Sequence, residues 1–224
     1  CAIGDIHLTG TLSGHCSPRT LVFLQGFRVY SSSYYSPGHV NVVHLNPERF
    51  MARLPDRDKL IEEDEQIRHI ETEIRHQWRA ILETAKYQLP SRQFVDRYYD
   101  AMQAFGHLDM LNDLDVLPQG TCSSICDYPY TGVDAATDYL DNRIAPPDRE
   151  SIENGSVVVV DLDDVHEGNT AHWMFARAKG FLVGNLHLLH KDHWLHGKVR
   201  DLAAETVGLE PIGTPLHAVF SGIW

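Results

Sequence analysis

The stretch SVVVVDLDDVHEGNTAHWMFARAKGFLVG, residues 156–184, decides the fold class of this 224-residue chain. It opens with a run of valines typical of a buried strand, continues with a helix-like segment that ends at Gly180, and closes with a second apolar strand. A strand, a helix and a strand in this order are typical of a parallel sheet flanked by helices. The sequence therefore predicts an α/β protein with a layered sheet core.

Upstream of this stretch the apolar pattern is helical. Apolar residues recur every three or four positions from Leu60 to Ala85, and Pro90 ends the pattern. We predict one amphipathic helix over residues 57–88, followed by a second helix that Ser91 can cap. The stripe expected to be buried on the first helix comprises Ile70, Ile74, Trp78 and Ile81.

The remaining segments complete the predicted organisation. Residues 1–54 have the composition of strands and loops, residues 118–132 that of a loop, and residues 186–208 that of one or two helices. We predict one domain, residues 1–224, in which a helical insertion occupies about residues 56–117.

Composition restricts the class of protein. Acidic side chains outnumber basic ones by 31 to 19, and the net charge of -12 disfavours a nucleic-acid partner because phosphates are repelled. The apolar runs are too short to cross a bilayer, so no membrane partner is predicted. Four cysteines without paired CxxC spacing favour a reduced, cytoplasmic setting. The 14 histidines indicate metal binding or proton transfer.

Two metal-ligating residue types lie close together near the start of the sequence. The segment from Ala2 to His7, AIGDIH, has the pattern of a short apolar strand ending in Asp-x-His. Side chains two positions apart on a strand point the same way, so Asp5 and His7 can share one divalent metal. We expect this strand to be central in its sheet, with both side chains at its carboxyl end in a concave site.

This segment resembles the first metal motif of the calcineurin-like metallophosphoesterases, GDIHG or GDVHG after a short apolar strand. The resemblance implies that Asp5 and His7 ligate a divalent metal, Mn, Fe or Zn, in a two-metal site that activates water for attack on a phosphate ester. The implied substrate is a phosphomonoester, a phosphoprotein or a dinucleotide phosphate. In this family the later motifs are G-D-x-x-D-R-G, then G-N-H-E or G-N-H-D, then further His-containing motifs.

Two alignments place the later motifs. In the first, TLVFLQGFRVYSSS and VVHLNPERFM resemble motifs two and three and supply Asn46 and Glu48, but no Asp. In the second, VVVVDLDDVHEGNT supplies Asp161 and Asp164, and FLVGNLH supplies Asn185. Two divalent ions repel each other unless an anionic oxygen lies between them, so the second alignment is preferred.

The resemblance thus implies a site built from both ends of the chain. Its bridging carboxylate is Asp161 or Asp164, paired with Asp5, and Asn46 is the alternative ligand from the first alignment. His187 and His217 are the candidate catalytic residues. The implied metal ligands are Asp5, His7, Asp161, Asp164, Asn185 and His187.

Cysteine chemistry provides a different hypothesis. Cys16, with His39 or His44 as its base, can act as the nucleophile of a cysteine-dependent hydrolase, and Cys1 can act as an N-terminal nucleophile of an amidohydrolase. The loop QGTCSSIC superficially resembles the papain-type nucleophile loop, which we treat as coincidence unless a histidine lies beside Cys122 or its neighbour Cys126.

Further alternatives concern binding rather than catalysis. The chain can be an inactive binding protein on a hydrolase scaffold, with the acidic helix around residues 61–81 facing a protein partner. The carboxylates after residue 160 can simply favour the N-terminus of the following helix. Four histidines recur every three residues and form either half-sites for zinc or a solvated face: His187, His190, His193 and His196.

Overall fold

The computed structural model describes residues 2–9, 19–32, 40–53, 59–126, 140–162 and 170–208. The chain divides into two compact units, residues 1–108 and 109–224. Helices and two mixed sheets confirm the mixed α/β class. The single-domain organisation stays a prediction, because two compact units can belong to one domain.

A four-stranded sheet forms the first unit's β structure. Its strand order is β1-β4-β2-β3, with β1 antiparallel to β4, β4 parallel to β2, and β2 antiparallel to β3. The two-residue turn between β2 and β3 has positive φ at both Gln25 (51°) and Gly26 (84°), the conformation that matches strand twist in tight hairpins. The strands are β1 Gly4–His7, β2 Arg19–Leu24, β3 Phe27–Ser31 and β4 Val40–Leu45.

The position of β1 corrects one expectation. The sequence pattern led us to expect a central strand, but β1 lies at the edge of its sheet and pairs with β4 alone among the described strands. Gly4 approaches β4 so closely that an added Cβ would lie 2.1 Å from the carbonyl oxygen of His44, and its φ is +134°. Glycine is therefore required where β1 joins the sheet.

Two helices follow this sheet, α1 Glu63–Gln88 and α2 Ser91–Phe105. The prediction of one long helix is confirmed, although α1 begins at Glu63 rather than at residue 57. Trp78 is buried and stacks on Phe105 with ring centroids 5.1 Å apart. Of the predicted buried stripe, Ile70, Ile74 and Trp78 are buried, whereas the prediction for Ile81 is wrong because this side chain is 40% exposed.

A five-stranded sheet organises the second unit, with strand order β6-β5-β8-β7-β9. Strand β8 lies parallel to β7 and antiparallel to β5, and α4 Thr170–Lys179 connects β7 to β8. This confirms the predicted strand, helix and strand. Val160, Val183 and Trp173 pack in the core of this unit. The strands are β5 Cys122–Ile125, β6 Leu140–Asp141, β7 Val159–Asp161, β8 Leu182–Gly184 and β9 Arg200–Asp201, and the short helix α3 spans Arg149–Glu153.

Two segments of the second unit differ from the prediction. Residues 118–132 were expected to form a loop, but residues 122–125 form strand β5 because they pair with β8. Residues 186–208 were expected to be helical, but they contain two short 3₁₀ turns, 186–188 and 194–197, and strand β9. Local hydrogen bonds replace the helical ladder there: the ring Nδ1 of His193 accepts from the backbone N–H of Leu195 at 3.2 Å.

None of the helices in the described ranges has the length and apolar character needed to cross a lipid bilayer.

Candidate functional site

Asp5 and His7 are exposed on one face of β1. Asp5 pairs directly with His44 on β4, and the rings of His7 and His44 are 5.8 Å apart. Phe23 on β2 stacks on His44, and the centroids of the two rings are 5.4 Å apart. The sheet face therefore carries one carboxylate and two imidazoles beside an aromatic ring. The contact of His7 with His44 has no signal in the sequence, because the strand pairing that creates it is non-local.

The first alignment does not bring Asn46 to the carboxyl end of β1. The backbone N–H of Asn46 donates to the carbonyl of Ile3 at 2.9 Å, at the start of β1, whereas His7 ends that strand. Four strand residues separate these positions, which is roughly 13 Å. The side-chain oxygen of Asn46 accepts a hydrogen bond from the backbone N–H of Glu48 at 2.9 Å. Asn46 thus shapes the turn after β4.

The second alignment places two of its residues at one sheet edge. Asp161 is the last residue of β7, and Asn185 directly follows β8, its parallel neighbour. Parallel strands end at the same edge, so both residues lie at the carboxyl edge of this sheet. Asp201, the last residue of β9, pairs directly with Asp161. Asp201 could not be found from the sequence, because a two-residue strand leaves no periodic signal.

The amide group of Asn185 is held in a defined orientation. Its Nδ2 donates to the carbonyl oxygen of Gly120 at 2.6 Å and to Oγ of Ser123 at 3.0 Å. Its backbone N–H donates to the carbonyl of Thr121 at 2.7 Å. Both amide hydrogens are used in this way, so the side-chain oxygen is the atom that Asn185 offers to a cation or a substrate.

The histidines after residue 186 do not form a helical stripe. His187 is exposed on the first 3₁₀ turn, and His196 lies on the second. Nδ1 of His190 lies 3.2 Å from Nδ2 of Asn112. His193 is only 2% exposed, and its Nε2 has no hydrogen-bond partner among the described residues. The expected zinc half-sites at helical spacing are therefore absent from this described segment.

Burial keeps His193 uncharged. Desolvation, followed by the charges of His196 and Arg149, lowers the pKa of His193 to about 4. The guanidinium of Arg149 lies 5.0 Å from the ring centroid of Trp194 and forms ion pairs with Asp115 at 3.0 Å and Glu153 at 2.9 Å. A neutral His193 beside this arrangement packs as a core side chain.

Cys122 is unsuited to nucleophilic catalysis. Its side chain is buried, and burial raises its pKa to about 12. A thiol with this pKa is protonated near neutral pH, and only the thiolate attacks. Cys122 is therefore excluded as the nucleophile that the papain-like loop would require.

The predicted ligands divide between the two units. Asp5 and His7 belong to the four-stranded sheet of the first unit, and Asp161, Asn185 and His187 belong to the second. Within the described part of the chain, no three or more His, Cys, Asp or Glu side chains converge to hold a metal ion. Several predicted site residues lie outside the described residues: Asp164, His217, Cys1, Cys16 and His39.

Comparison with known proteins adds no relative. No protein-family model, no curated protein and no solved structure matches the chain.

Proposed function

We propose that this chain is a metal-dependent phosphoesterase, with Asp161 and Asn185 among its metal ligands. The supporting observation is that these residues follow two neighbouring parallel strands and lie at the carboxyl edge of the sheet. Ligands of open α/β sheets bind outside this edge. The proposal includes a layered sheet core, in which residues 56–117 form a helical insertion.

The donor set at this edge suits a divalent cation. Asp161 and Asp201 are exposed carboxylates at directly paired positions, where like charges destabilise neighbouring strands. A cation held by these carboxylates would offset that repulsion. Carboxylate and amide oxygens are hard donors, which favours Mn²⁺ over Zn²⁺. A bound metal would polarise the phosphate ester and lower the pKa of a bound water.

Residues from elsewhere in the chain complete the proposed site. Asp5 and His7 would supply the first metal motif, and Asp164, His187 and His217 would supply the remaining ligands and the proton donor. The substrate would be a phosphate ester, and a protein partner fits a phosphoprotein substrate. The proposal places the protein in the cytoplasm, where its cysteines stay reduced.

A metal-binding and activity assay tests this proposal. The full chain, stripped of metal with a chelator, is titrated with Mn²⁺ by calorimetry and assayed with p-nitrophenyl phosphate and bis-p-nitrophenyl phosphate. We expect Asp161→Asn and Asp201→Asn each to weaken Mn²⁺ binding at least about tenfold, because each removes an anionic ligand. The matched control is Glu150→Gln, which removes one exposed charge from α3 in the same unit.

Three outcomes would contradict the proposal. Wild-type protein that neither binds Mn²⁺ nor hydrolyses either substrate favours the binding-protein hypothesis. Activity that survives both Asp161→Asn and Asp201→Asn places the site elsewhere. Activity lost on thiol alkylation but retained with chelators favours Cys16. Asp5→Ala tests the first motif separately, since it should abolish activity if Asp5 is a ligand of the catalytic metal.

A further inference from the structure

An exposed apolar cleft lies in the first unit, in a different sheet from Asp161. Five large hydrophobic side chains are exposed among the described residues, and three of them line this one cleft: Phe27 (54% exposed), Met51 (69%) and Ile61 (45%). Clustered exposed apolar side chains mark binding sites more often than isolated ones do. Three exposed apolar side chains in one cavity therefore indicate a ligand-binding surface.

Backbone hydrogen bonds hold the walls of the cleft in place. The turn between β2 and β3 forms one wall through Leu24 and Gln25. The segment after β4 supplies further lining residues, Pro47 and Phe50 among them, and there the backbone N–H of Phe50 donates to the carbonyl of Asn46 at 3.2 Å. The N–H of Ile61 donates to the carbonyl of Met51 at 3.0 Å, which joins two of the lining residues. Backbone hydrogen bonds thus fix the segments that line the cleft.

Size and charge specify the ligand. The cavity measures about 590 Å³, within the range of small-molecule sites. Among the described residues that line it, Arg53 is the one charged side chain, and its guanidinium makes no ion pair with another described residue. The cation of Arg53 beside an apolar cleft, in a chain of net charge -12, favours a ligand with an anionic group on an apolar body.

We propose that this cleft binds a monocarboxylate with an apolar chain. The alkyl chain lies against Phe27, Met51 and Ile61, and the carboxylate pairs with the guanidinium of Arg53. Guanidinium binds carboxylate through two parallel hydrogen bonds, so Arg53 fixes the orientation of the ligand. This site is separate from the proposed metal centre and needs no metal.

Calorimetry on the full chain with dodecanoate, kept below its micelle concentration, tests the proposal. We expect one dodecanoate per chain, and weak or undetectable binding of acetate and of dodecyltrimethylammonium, which lack the chain and the negative charge respectively. Arg53→Gln should weaken dodecanoate binding about tenfold, the size of a lost charge-assisted hydrogen bond. Met51→Asp should abolish it, because it places a carboxylate in the cleft.

Matched controls separate the cleft from general effects. Arg68→Gln removes an exposed arginine on α1, and Tyr87→Asp adds a charge at a side chain that is 94% exposed; both should leave binding unchanged. Any one of three results would overturn the proposal. The wild type could bind no dodecanoate, it could bind dodecyltrimethylammonium as tightly as dodecanoate, or Arg53→Gln could bind dodecanoate as tightly as the wild type does. A dimer that dissociates on Met51→Asp, with no dodecanoate bound, would identify the cleft as an interface between copies.

Discussion

Replacing Gly4 with alanine tests how β1 joins its sheet. The new Cβ would lie 2.1 Å from the carbonyl oxygen of His44 and 2.9 Å from the backbone nitrogen of Asn46, and neither backbone atom can move without disturbing β4. The φ of +134° adds strain of about 1–3 kcal/mol for a residue with a side chain. Relief by detachment of β1 would expose Ile3, whose burial contributes about 1.5–3 kcal/mol, and would break ladder hydrogen bonds worth about 1 kcal/mol each. Whether β1 stays paired under this strain or detaches from β4, the free energy of unfolding falls by about 3–5 kcal/mol.

The control for this substitution is Gly155→Ala. Gly155 also has positive φ, +78°, but nothing lies within 4 Å of its added Cβ, so only the backbone cost of about 1–2 kcal/mol applies. Urea unfolding followed by circular dichroism measures both losses, and hydrogen exchange of the amides in β4 reports detachment of β1. A Gly4→Ala loss no larger than that of Gly155→Ala would refute the described pairing of β1 with β4.

Three further predictions concern buried side chains. Trp78→Ala should lower the free energy of unfolding by about 3–5 kcal/mol, because Trp78 is buried. The control Tyr87→Ala, at a side chain that is 94% exposed, should change it by less than about 0.5 kcal/mol. Equal urea midpoints for the two variants would contradict this prediction. His193 has a folded-state pKa of about 4, below its ordinary 6.5, so the unfolded chain binds the extra proton first and stability falls as pH drops from 6.5 toward 4. Melting temperatures measured between pH 4.5 and 7.5 should therefore fall more steeply for the wild type than for His193→Gln, and parallel curves would disprove a buried neutral imidazole. Cys122, whose pKa is raised to about 12, should resist iodoacetamide at pH 8 in the folded protein and react in urea; native-state labelling located at Cys122 by tandem mass spectrometry would count against its burial.

Local periodicity accounts for the parts of the fold that were predicted. The run of valines, the helix and the second strand in residues 156–184 each carry their own pattern, and β7, α4 and β8 form there. On α1 the buried line passes through Ile74, Trp78 and Leu82, so Ile81, one residue before Leu82, is turned about 100° away from it. The apolar spacing allows either Ile81 or Leu82 to face the core, and packing buries Leu82.

Strand order and short strands could not be predicted because they depend on distant partners. Whether β1 is central or at an edge is decided by β4, some 40 residues later, and no pattern within AIGDIH reports that partner. Asp201 joins the candidate metal edge only through the pairing of β9 with β7. The candidate ligands were thus found by residue type and motif, while their neighbours His44, Asp201 and Ser123 emerged only from the sheet pairing.

The edge position of β1 also has a consequence for how the protein assembles during synthesis. β1 leaves the ribosome before β2 and β3, which can close their hairpin locally through the turn at Gln25 and Gly26, while β1 must wait for β4. Ile3, directly before β1, and Ile6 within it therefore stay without their β4 partner until the strand from Val40 to Leu45 has left the ribosome. A nascent chain stalled before residue 40 would expose the unpaired β1 segment to chaperones, and one stalled well past residue 45 would not.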